Sequence, residues 1–311
     1  MTKTAWLFPG QGSQWVGMGK DLVEVFPQAR EVFQQADRVL GLDLARICFE
    51  GPEEQLRETR FTQVAILTHS VSVLRVLEGK SPPPAYVAGH SVGEYAALVA
   101  GGSLAFEDAL RLVRTRAEAM HAAGLARPGA MAALIGMPEE NLELLLAEGA
   151  KAGVVRAANY NSPVQVVISG DARAVEAALK AAPSFGAKRA ITLKVSGAFH
   201  SPLMEAAEAD LARALRSTHF GSAAIPVVSN VTARPVSEPG EIVGLLERQL
   251  TSAVMWRQSV KYMADEGVTS FIEVGPGNVL AGLAKRIVPE AECVSLCDAK
   301  SVKASLQGVR T

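Results

Sequence analysis

Short apolar runs alternate with longer segments of helical periodicity along the first part of the chain. Residues 4–8 form an apolar run of strand length, and residues 85–88 form a second one after the proline-rich break at residues 80–84. Segments with helical periodicity lie at residues 27–40, 62–77, 92–100 and 106–122. Strands that alternate with helices in this way predict an α/β domain built on a parallel sheet.

A different pattern covers residues 129–193. It predicts a strand, a helix, two strands around a turn, a helix and a strand, which is the β-α-β-β-α-β order of a ferredoxin-like unit. These elements are predicted at residues 130–135, 139–148, 154–159, 165–169, 172–181 and 188–195. We therefore predict a ferredoxin-like small domain, residues 128–195, inserted into one large domain formed by residues 1–127 and 196–311.

The α/β pattern returns after this insertion. Helices are predicted at residues 202–216, 241–249 and 256–266, with a last one that begins after Gly275-Pro276-Gly277 and ends at Arg286. Strands are predicted at residues 225–229, 270–274 and 293–296. The predicted fold class is a hydrolase-like α/β core with a parallel sheet and an inserted ferredoxin-like domain.

Composition and charge narrow the function classes. The 311 residues are 49% hydrophobic and 20% charged, which is typical of a globular protein and argues against disorder. The net charge of −1 gives no overall field that would favour nucleic acid or an anionic membrane. No apolar run has the length of a transmembrane helix or signal peptide, so we expect a cytoplasmic protein. The three cysteines lack metal-ligand spacing, and no metal is expected.

One motif between a predicted strand and a predicted helix points to nucleophilic chemistry. Gly89-His90-Ser91-Val92-Gly93 matches G-x-S-x-G, in which glycines allow a sharp turn that projects the serine hydroxyl from the sheet edge. The Val92 N–H would then lie at a helix N-terminus and can stabilise an oxyanion. The bare pattern is common, but its setting favours Ser91 as a nucleophile over an ordinary strand–helix turn.

A serine nucleophile needs a base, and the chain has five histidines. His90 is adjacent to Ser91, and neighbouring side chains normally diverge, so a packing or hydrogen-bonding role is favoured for it. The histidines in helical patterns or a polar loop are His69, His121 and His219. His200 precedes a predicted helix where the chain re-enters the large domain. The residues alone favour His200 as the base without excluding the others.

Four separated motifs carry a family resemblance. They are Phe8-Pro9-Gly10-Gln11-Gly12-Ser13-Gln14, Gly89-His90-Ser91-Val92-Gly93-Glu94-Tyr95, Gly197-Ala198-Phe199-His200-Ser201 and Glu273-Val274-Gly275-Pro276-Gly277. In this order, over nearly the whole chain, they resemble the signatures of malonyl-CoA:acyl carrier protein transacylases, which include acyltransferase domains of fatty-acid and polyketide synthases. The fold of that family is a hydrolase-like α/β domain with a ferredoxin-like insertion, in agreement with the predicted elements.

The resemblance implies a role for each matching residue. Ser91 would be the acylated nucleophile and His200 its base. The backbone carbonyl of Gln249 would orient the histidine, so that no aspartate is needed. Gln11 would complete the oxyanion hole beside the Val92 N–H.

The resemblance also implies how the acyl group is chosen. Arg116 would bind the free carboxylate of a malonyl group through two charge-assisted hydrogen bonds, and an acetyl group would leave the guanidinium unpaired. A solvated helix face is the commoner interpretation of such residues, and we keep it for Arg111 and Arg114. Phe199 and Val92 favour malonyl over methylmalonyl, because a smaller residue at position 199 would leave room for a methyl branch.

Two asparagines near a turn of the small domain have two possible roles. Asn159 and Asn161 are typical turn residues. The resemblance implies that the small domain forms one wall of the substrate cleft, and we take Asn161 as the candidate substrate-binding residue there.

The implied reaction transfers malonyl from malonyl-CoA to the phosphopantetheine thiol of an acyl carrier protein through a malonyl-serine intermediate, in fatty-acid biosynthesis. We expect a monomer that needs no cofactor. Lys188-Arg189 and Lys285-Arg286 are candidate docking charges for an acidic carrier protein, although surface solvation is the commoner role of such pairs. The alternatives are a free-standing acyltransferase of a polyketide pathway, a serine thioesterase or esterase, and a non-catalytic module that binds carrier protein or coenzyme A.

Overall fold

The computed structural model describes residues 3–195 and 197–308. The strands in chain order are β1 (Thr4–Phe8), β2 (Tyr86–Gly89), β3 (Gly129–Ile135), β4 (Val155–Ser162), β5 (Gln165–Asp171), β6 (Arg189–Thr192), β7 (Val227–Val228), β8 (Pro235–Val236), β9 (Ser270–Val274) and β10 (Glu292–Leu296). The α-helices are α1 (Lys20–Val25), α2 (Pro27–Leu40), α3 (Leu44–Glu50), α4 (Glu53–Arg57), α5 (Thr59–Leu77), α6 (Gly93–Ala100), α7 (Phe106–Ala126), α8 (Glu139–Ala150), α9 (Ala172–Ala181), α10 (Glu205–Ser217), α11 (Pro239–Gln249), α12 (Trp256–Asp265), α13 (Val279–Ile287) and α14 (Ala299–Leu306). Short 3-10 turns occupy Ala182–Phe185 and Pro202–Met204.

The larger sheet has the strand order β10-β9-β1-β2-β7-β8 and is parallel except for the β7–β8 pair. All of β1 except Thr4 is buried, as expected for a central strand of a parallel sheet covered on both faces. In the register of β1 with β2, Phe8 is opposite Gly89. The loops that follow these two residues therefore lie side by side at the carboxyl edge of the sheet, and the parallel α/β core is confirmed.

The smaller sheet has the strand order β4-β5-β3-β6, and its paired strands are antiparallel. Residues of its strands and of α8 and α9 form an apolar cluster separate from the main core, with Leu134, Leu145 and Ile168 fully buried. The chain order from β3 to β6, with α8 and α9, follows the predicted β-α-β-β-α-β pattern. The domain boundaries at residues 128 and 195 stay a prediction.

Backbone hydrogen bonds attach the small sheet to the rest of the molecule. Tyr160 N–H donates to the Val254 carbonyl at 2.9 Å, and Val254 N–H donates to the Ala158 carbonyl at 2.8 Å. The edge strand β4 is thus held against the segment that precedes α12. This attachment places Asn159 and Asn161 of β4 beside the loop that follows β1, with which they line a common cavity.

Several element boundaries differ from those that the sequence predicts. The periodicity does not indicate α1, α3, α4 and α14, because helices of five to eight residues contain too few turns to show it. The strand predicted at residues 225–229 is only Val227–Val228, and the one predicted at 188–195 is Arg189–Thr192. The helix predicted at residues 202–216 begins with a 3-10 turn and continues as α10.

Over residues 3–195 and 197–308, no helix is both long and apolar enough to cross a bilayer. The same residues contain no group of three His, Cys, Asp or Glu side chains placed to bind one metal ion. Cys48, Cys293 and Cys297 are free thiols.

Candidate active site

The turn between β2 and α6 holds Ser91 in a left-handed conformation with a φ of 52°. This conformation is rare for a residue with a side chain and is typical of nucleophile elbows. Asn230 secures the turn through its side chain. Its Oδ1 accepts from the Ser91 N–H at 2.7 Å, and its Nδ2 donates to the Gly89 carbonyl at 2.6 Å. Backbone geometry therefore determines where the Ser91 hydroxyl lies.

The two glycines of the turn leave no room for a side chain. A Cβ at Gly89 would lie 2.0 Å from the carbonyl of Gly93, and a Cβ at Gly93 would lie 2.1 Å from the carbonyl oxygen of Phe8. Both obstacles are backbone atoms, which cannot rotate away as a side chain can. The G-x-S-x-G spacing thus reflects the close approach of α6 to the ends of β1 and β2.

His200 lies within hydrogen-bond distance of the serine, with its Nε2 2.8 Å from Ser91 Oγ. Its Nδ1 lies 3.0 Å from the Gln249 carbonyl oxygen and 3.1 Å from that of Ser252. Because carbonyl oxygens only accept, Nδ1 carries the proton, and Nε2 is the acceptor that faces the hydroxyl. His200 also has a positive φ, of 57°, and residues in such strained conformations cluster at active sites.

Burial keeps the imidazole of His200 neutral. It lowers the pKa of His200 to about 3, and the nearby Arg116 cation and His90 act in the same direction, whereas hydrogen bonds to the Gln249 and Ser252 carbonyls act against it. A neutral imidazole can accept a proton from serine without first losing one of its own. His200 is therefore in the protonation state that a general base requires over the physiological pH range.

Two backbone N–H groups near Ser91 are candidates for an oxyanion hole. Val92 immediately precedes α6, so its N–H lies at a helix N-terminus. Gln11 lies in the loop after β1, and its side-chain amide donates to Thr59 Oγ1 at 3.4 Å. In the described part of the chain, neither the Val92 nor the Gln11 backbone N–H donates a hydrogen bond to another backbone group. Since both residues line one cavity with Ser91, these donors are available to a ligand oxygen.

Arg116 is fully buried, whereas Arg111 and Arg114 on the same helix are exposed. Its Nη2 donates to Ser91 Oγ at 3.0 Å, and its Nη1 donates to Gln63 Oε1 at 2.6 Å. Arg111 and Arg114 instead pair with acidic residues of α7 on the outer face. The structure thus confirms a solvated face for these two and brings Arg116 to the serine.

Gln249 and Glu94 complete a buried polar network behind the serine. Gln249 Oε1 accepts from Arg116 Nη2 at 3.0 Å, and Gln249 Nε2 donates to the Glu94 carboxyl group at 2.5 Å and to the Ser91 carbonyl at 3.1 Å. Burial raises the pKa of Glu94 to about 7, against the hydrogen bonds from Gln249 and Asn230 and the nearby Arg116 cation, which lower it. This network connects the arginine to the serine turn.

A cavity of about 100 Å³ lies in front of Ser91. Arg116 and His200 line it, so the hydroxyl, the imidazole and the guanidinium all face one small space. Predicted site residues among its other walls are Gln11, Val92 and Phe199. A space of this size suits a short acyl group.

A second cavity, of about 190 Å³, adjoins the first, because Gln11, His90, Asn159 and Leu193 line both. Asn161 lines only this second cavity, and its Oδ1 accepts from His90 Nε2 at 2.9 Å. The hydrogen-bonding role expected for His90 is thus confirmed. The two cavities therefore adjoin between Ser91 and the asparagines of β4.

The chain matches the family model of the acyl transferase domain over residues 5–301. It is a member of the acyl transferase family. This acyl transferase is 44% identical to a malonyl CoA-acyl carrier protein transacylase of Bacillus subtilis (strain 168), over 100% of this chain and 98% of the relative. It is also 44% identical to a protein of the same name from Escherichia coli (strain K12), over 99% and 100% of the two chains.

A solved structure with 41% sequence identity and a TM-score of 0.95 covers 99% of this acyl transferase and 100% of its own chain. It is a malonyl-transacylase in complex with a type II PKS acyl-carrier protein. At this identity and coverage, the likeness extends to the whole described fold.

The structure of the acyl transferase also contains site residues that the sequence does not reveal. Asn230 and Gln63 stand in segments without any motif, and only their contacts with Ser91 and Arg116 identify them. Glu94 does carry a signal, since it is an acidic residue in an otherwise apolar helix directly after the serine. A charged residue buried in this way is normally paired with an opposite charge or hydrogen-bonded.

Proposed function

We propose that this acyl transferase transfers a malonyl group from malonyl-CoA to the phosphopantetheine thiol of an acyl carrier protein, in fatty-acid biosynthesis. The names of the relatives from Bacillus subtilis and Escherichia coli support this activity. The observation that carries it is the convergence of two groups on Ser91 Oγ, which lies 2.8 Å from His200 Nε2 and 3.0 Å from Arg116 Nη2. A nucleophile, a base and an anchor for a carboxylate thus lie around one atom.

The first half-reaction acylates the serine. Nε2 of His200 accepts the proton of Ser91 as Oγ attacks the thioester carbonyl carbon of malonyl-CoA. The N–H groups of Val92 and Gln11 donate to the oxyanion that forms. The carbon–sulfur bond then breaks, His200 returns the proton to the sulfur, and coenzyme A leaves a malonyl ester on Ser91.

The second half-reaction repeats these steps with a different thiol. Nε2 of His200 accepts the proton of the phosphopantetheine thiol as its sulfur attacks the ester carbonyl. The bond to Ser91 Oγ breaks, and the proton passes to the serine oxygen. The cavity beside Asn159 and Asn161 is the space that we assign to the pantetheine arm.

In this proposal, Arg116 selects the acyl group. A malonyl ester on Ser91 carries its free carboxylate only a few bonds from Oγ, within reach of the buried guanidinium. That pair gains charge-assisted hydrogen bonds, and an acetyl group offers none. Phe199 lines the same cavity, and its ring occupies space that a methyl branch would need.

The proposed partner is an acyl carrier protein, as in the solved complex of the related malonyl-transacylase. Lys188, Arg189, Lys285 and Arg286 are exposed and are our candidate docking charges for it. We further propose that residues 128–195 form an inserted domain that supplies one wall of the cleft. The cytoplasmic location, the monomeric state and the absence of a cofactor stay predictions.

An acceptor experiment tests the proposed function. The protein is incubated with malonyl-CoA and either a carrier protein bearing phosphopantetheine or the same carrier protein without it, and both proteins are weighed by intact mass spectrometry. We expect malonyl transfer only to the phosphopantetheine form. Release of free malonate faster than transfer would support a thioesterase instead. Binding of the carrier protein without any acyl-enzyme would support a non-catalytic module.

A further inference from the structure

The side-chain amide of Gln249 lies between a buried cation and a buried carboxyl group. Its oxygen accepts from Arg116 Nη2 at 3.0 Å, and its nitrogen donates to Glu94 Oε2 at 2.5 Å. The second N–H of the amide faces the Ser91 carbonyl at 3.1 Å. Both N–H groups and the oxygen of this amide therefore have hydrogen-bond partners within the site.

The two neighbours permit one orientation of the amide. A guanidinium only donates, and the Glu94 carboxyl group presents Oε2 to the amide as an acceptor, so a flipped amide would turn its nitrogen toward Arg116 and its oxygen toward Oε2. The Glu94 carboxyl group is held in turn by the Asn230 N–H, which lies 3.4 Å from each of its oxygens. The orientation of the Gln249 amide thus depends on an acceptor at position 94.

The Gln249 amide bonds to both Arg116 and the Glu94 carboxyl group, and so lies between these two groups. The side chains that accept from the guanidinium are all neutral: Gln63 Oε1, Gln249 Oε1 and Ser91 Oγ. Among the described residues, no ion pair includes Arg116, and its Nε has no hydrogen-bond partner. The guanidinium is therefore oriented by neutral acceptors while its pairing with a carboxylate is still available to a ligand.

We propose that Gln249 and Glu94 are positioning residues for acyl-group selectivity: the amide, oriented by Glu94, holds Arg116 in place without neutralising it, so that the substrate supplies the carboxylate partner. This inference rests on the proposed malonyl transfer. A carboxylate at position 249 would form an ion pair with the guanidinium itself. The protein would then lose its preference for a malonyl over an acetyl group. The role differs from that of the Gln249 backbone carbonyl, which faces His200.

Three variants test the proposal through the ratio of acylation rate constants, kcat/KM, for malonyl-CoA and acetyl-CoA. In Gln249→Glu and in the exchanged pair Glu94→Gln/Gln249→Glu, we expect the ratio of kcat/KM for malonyl-CoA to kcat/KM for acetyl-CoA to fall by about tenfold or more, the effect of one lost charge-assisted interaction. The exchanged pair keeps the net charge and the amide–carboxylate hydrogen bond, so its Tm should approach that of the unsubstituted protein. Gln249→Met, which removes the acceptor without adding charge, should lower the ratio as well.

The outcomes separate positioning from a merely structural role. If the exchanged pair recovers both its Tm and its preference for malonyl-CoA, or if Gln249→Met keeps the original ratio, the proposal is wrong. A structural defect would lower both rate constants together and leave their ratio unchanged. If the unsubstituted protein forms no malonyl-enzyme at all, it is the proposed function that fails, whatever the variants do.

Discussion

Two regions of the site are built differently, although their atoms are neighbours. One is the serine turn, residues 89–93, and the other is the arginine pocket, which is formed by Gln63, Arg116 and Gln249. The turn is a continuous segment, and backbone contacts and a positive φ determine its shape. The pocket is assembled from the side chains of three helices, α5, α7 and α11, that are far apart in the chain. The turn is therefore sensitive to added volume, and the pocket is sensitive to charge and hydrogen-bonding capacity.

The largest effect is expected from added volume in the turn. Gly93→Ala would place a Cβ 2.1 Å from the Phe8 carbonyl oxygen, and relief requires movement of β1 or α6. We expect the free energy of unfolding to fall by about 3 kcal/mol or more, as measured by denaturant unfolding. The matched control is Gly282→Ala, since a Cβ at this glycine of α13 meets no atom within 4 Å.

The control should be neutral or slightly stabilising, by about 0.5–1 kcal/mol, because alanine favours helix more than glycine does. Equal effects of the two substitutions would show that close packing does not govern the turn.

A smaller and more selective effect is expected from the pocket. Arg116→Leu removes the only fully buried guanidinium of the described residues, so we expect acylation by malonyl-CoA to slow by about 100-fold, with little change for acetyl-CoA. The measurement is the ratio of the two rate constants, which does not depend on the fraction of folded protein. Arg114→Leu, on the exposed face of the same helix, should leave the ratio unchanged within about twofold.

An equal loss with both acyl groups in Arg116→Leu would mean that the arginine supports the site without recognising a carboxylate. An equal change in the Arg114→Leu control would mean that the helix, not the guanidinium, carries the effect.

The smallest effect is expected from pH. Burial and the Arg116 cation hold the pKa of His200 at about 3, below its ordinary 6.5, so the base stays deprotonated as the pH falls through 6.5. The rate at which an uncharged fluorophosphonate modifies Ser91 should therefore change by less than about twofold between pH 7.5 and pH 5.5. A base with the ordinary pKa would slow the reaction about tenfold over this interval. A midpoint near pH 6.5 that persists in Glu94→Gln, which removes the buried carboxyl group whose pKa is about 7, would contradict the buried, neutral imidazole.

The contrast between turn and pocket explains how much of the site the sequence could predict. The order of strand, Gly-x-Ser-x-Gly turn and helix follows from local residues, so the amino-acid sequence alone is enough to indicate Ser91. Arg116 gave only a weak signal among the arginines of α7, because its burial depends on helices elsewhere in the chain. Asn230 and Gln63 gave no signal, since their roles consist entirely of contacts between distant segments.

The elements of the fold also divide into those that the local sequence predicts and those that depend on contacts between distant segments. Segments with a clear apolar or amphipathic pattern, such as Pro27–Leu40 and Ser270–Val274, have the boundaries that the sequence predicts. The four short helices and the two-residue strand β7 were not predicted as such, because tertiary packing rather than periodicity stabilises elements of this length. The attachment of β4 to the segment before α12 is likewise a contact between distant segments.

The most direct test of the account is to locate the acyl group. The protein is incubated with malonyl-CoA, quenched in acid and digested, and the malonylated peptide is identified by mass spectrometry in the unsubstituted chain and in Ser91→Ala. We predict one malonyl ester, on Ser91, which is lost in Ser91→Ala. A malonyl group on another residue, or one that persists in Ser91→Ala, would contradict the assignment of Ser91 as the nucleophile.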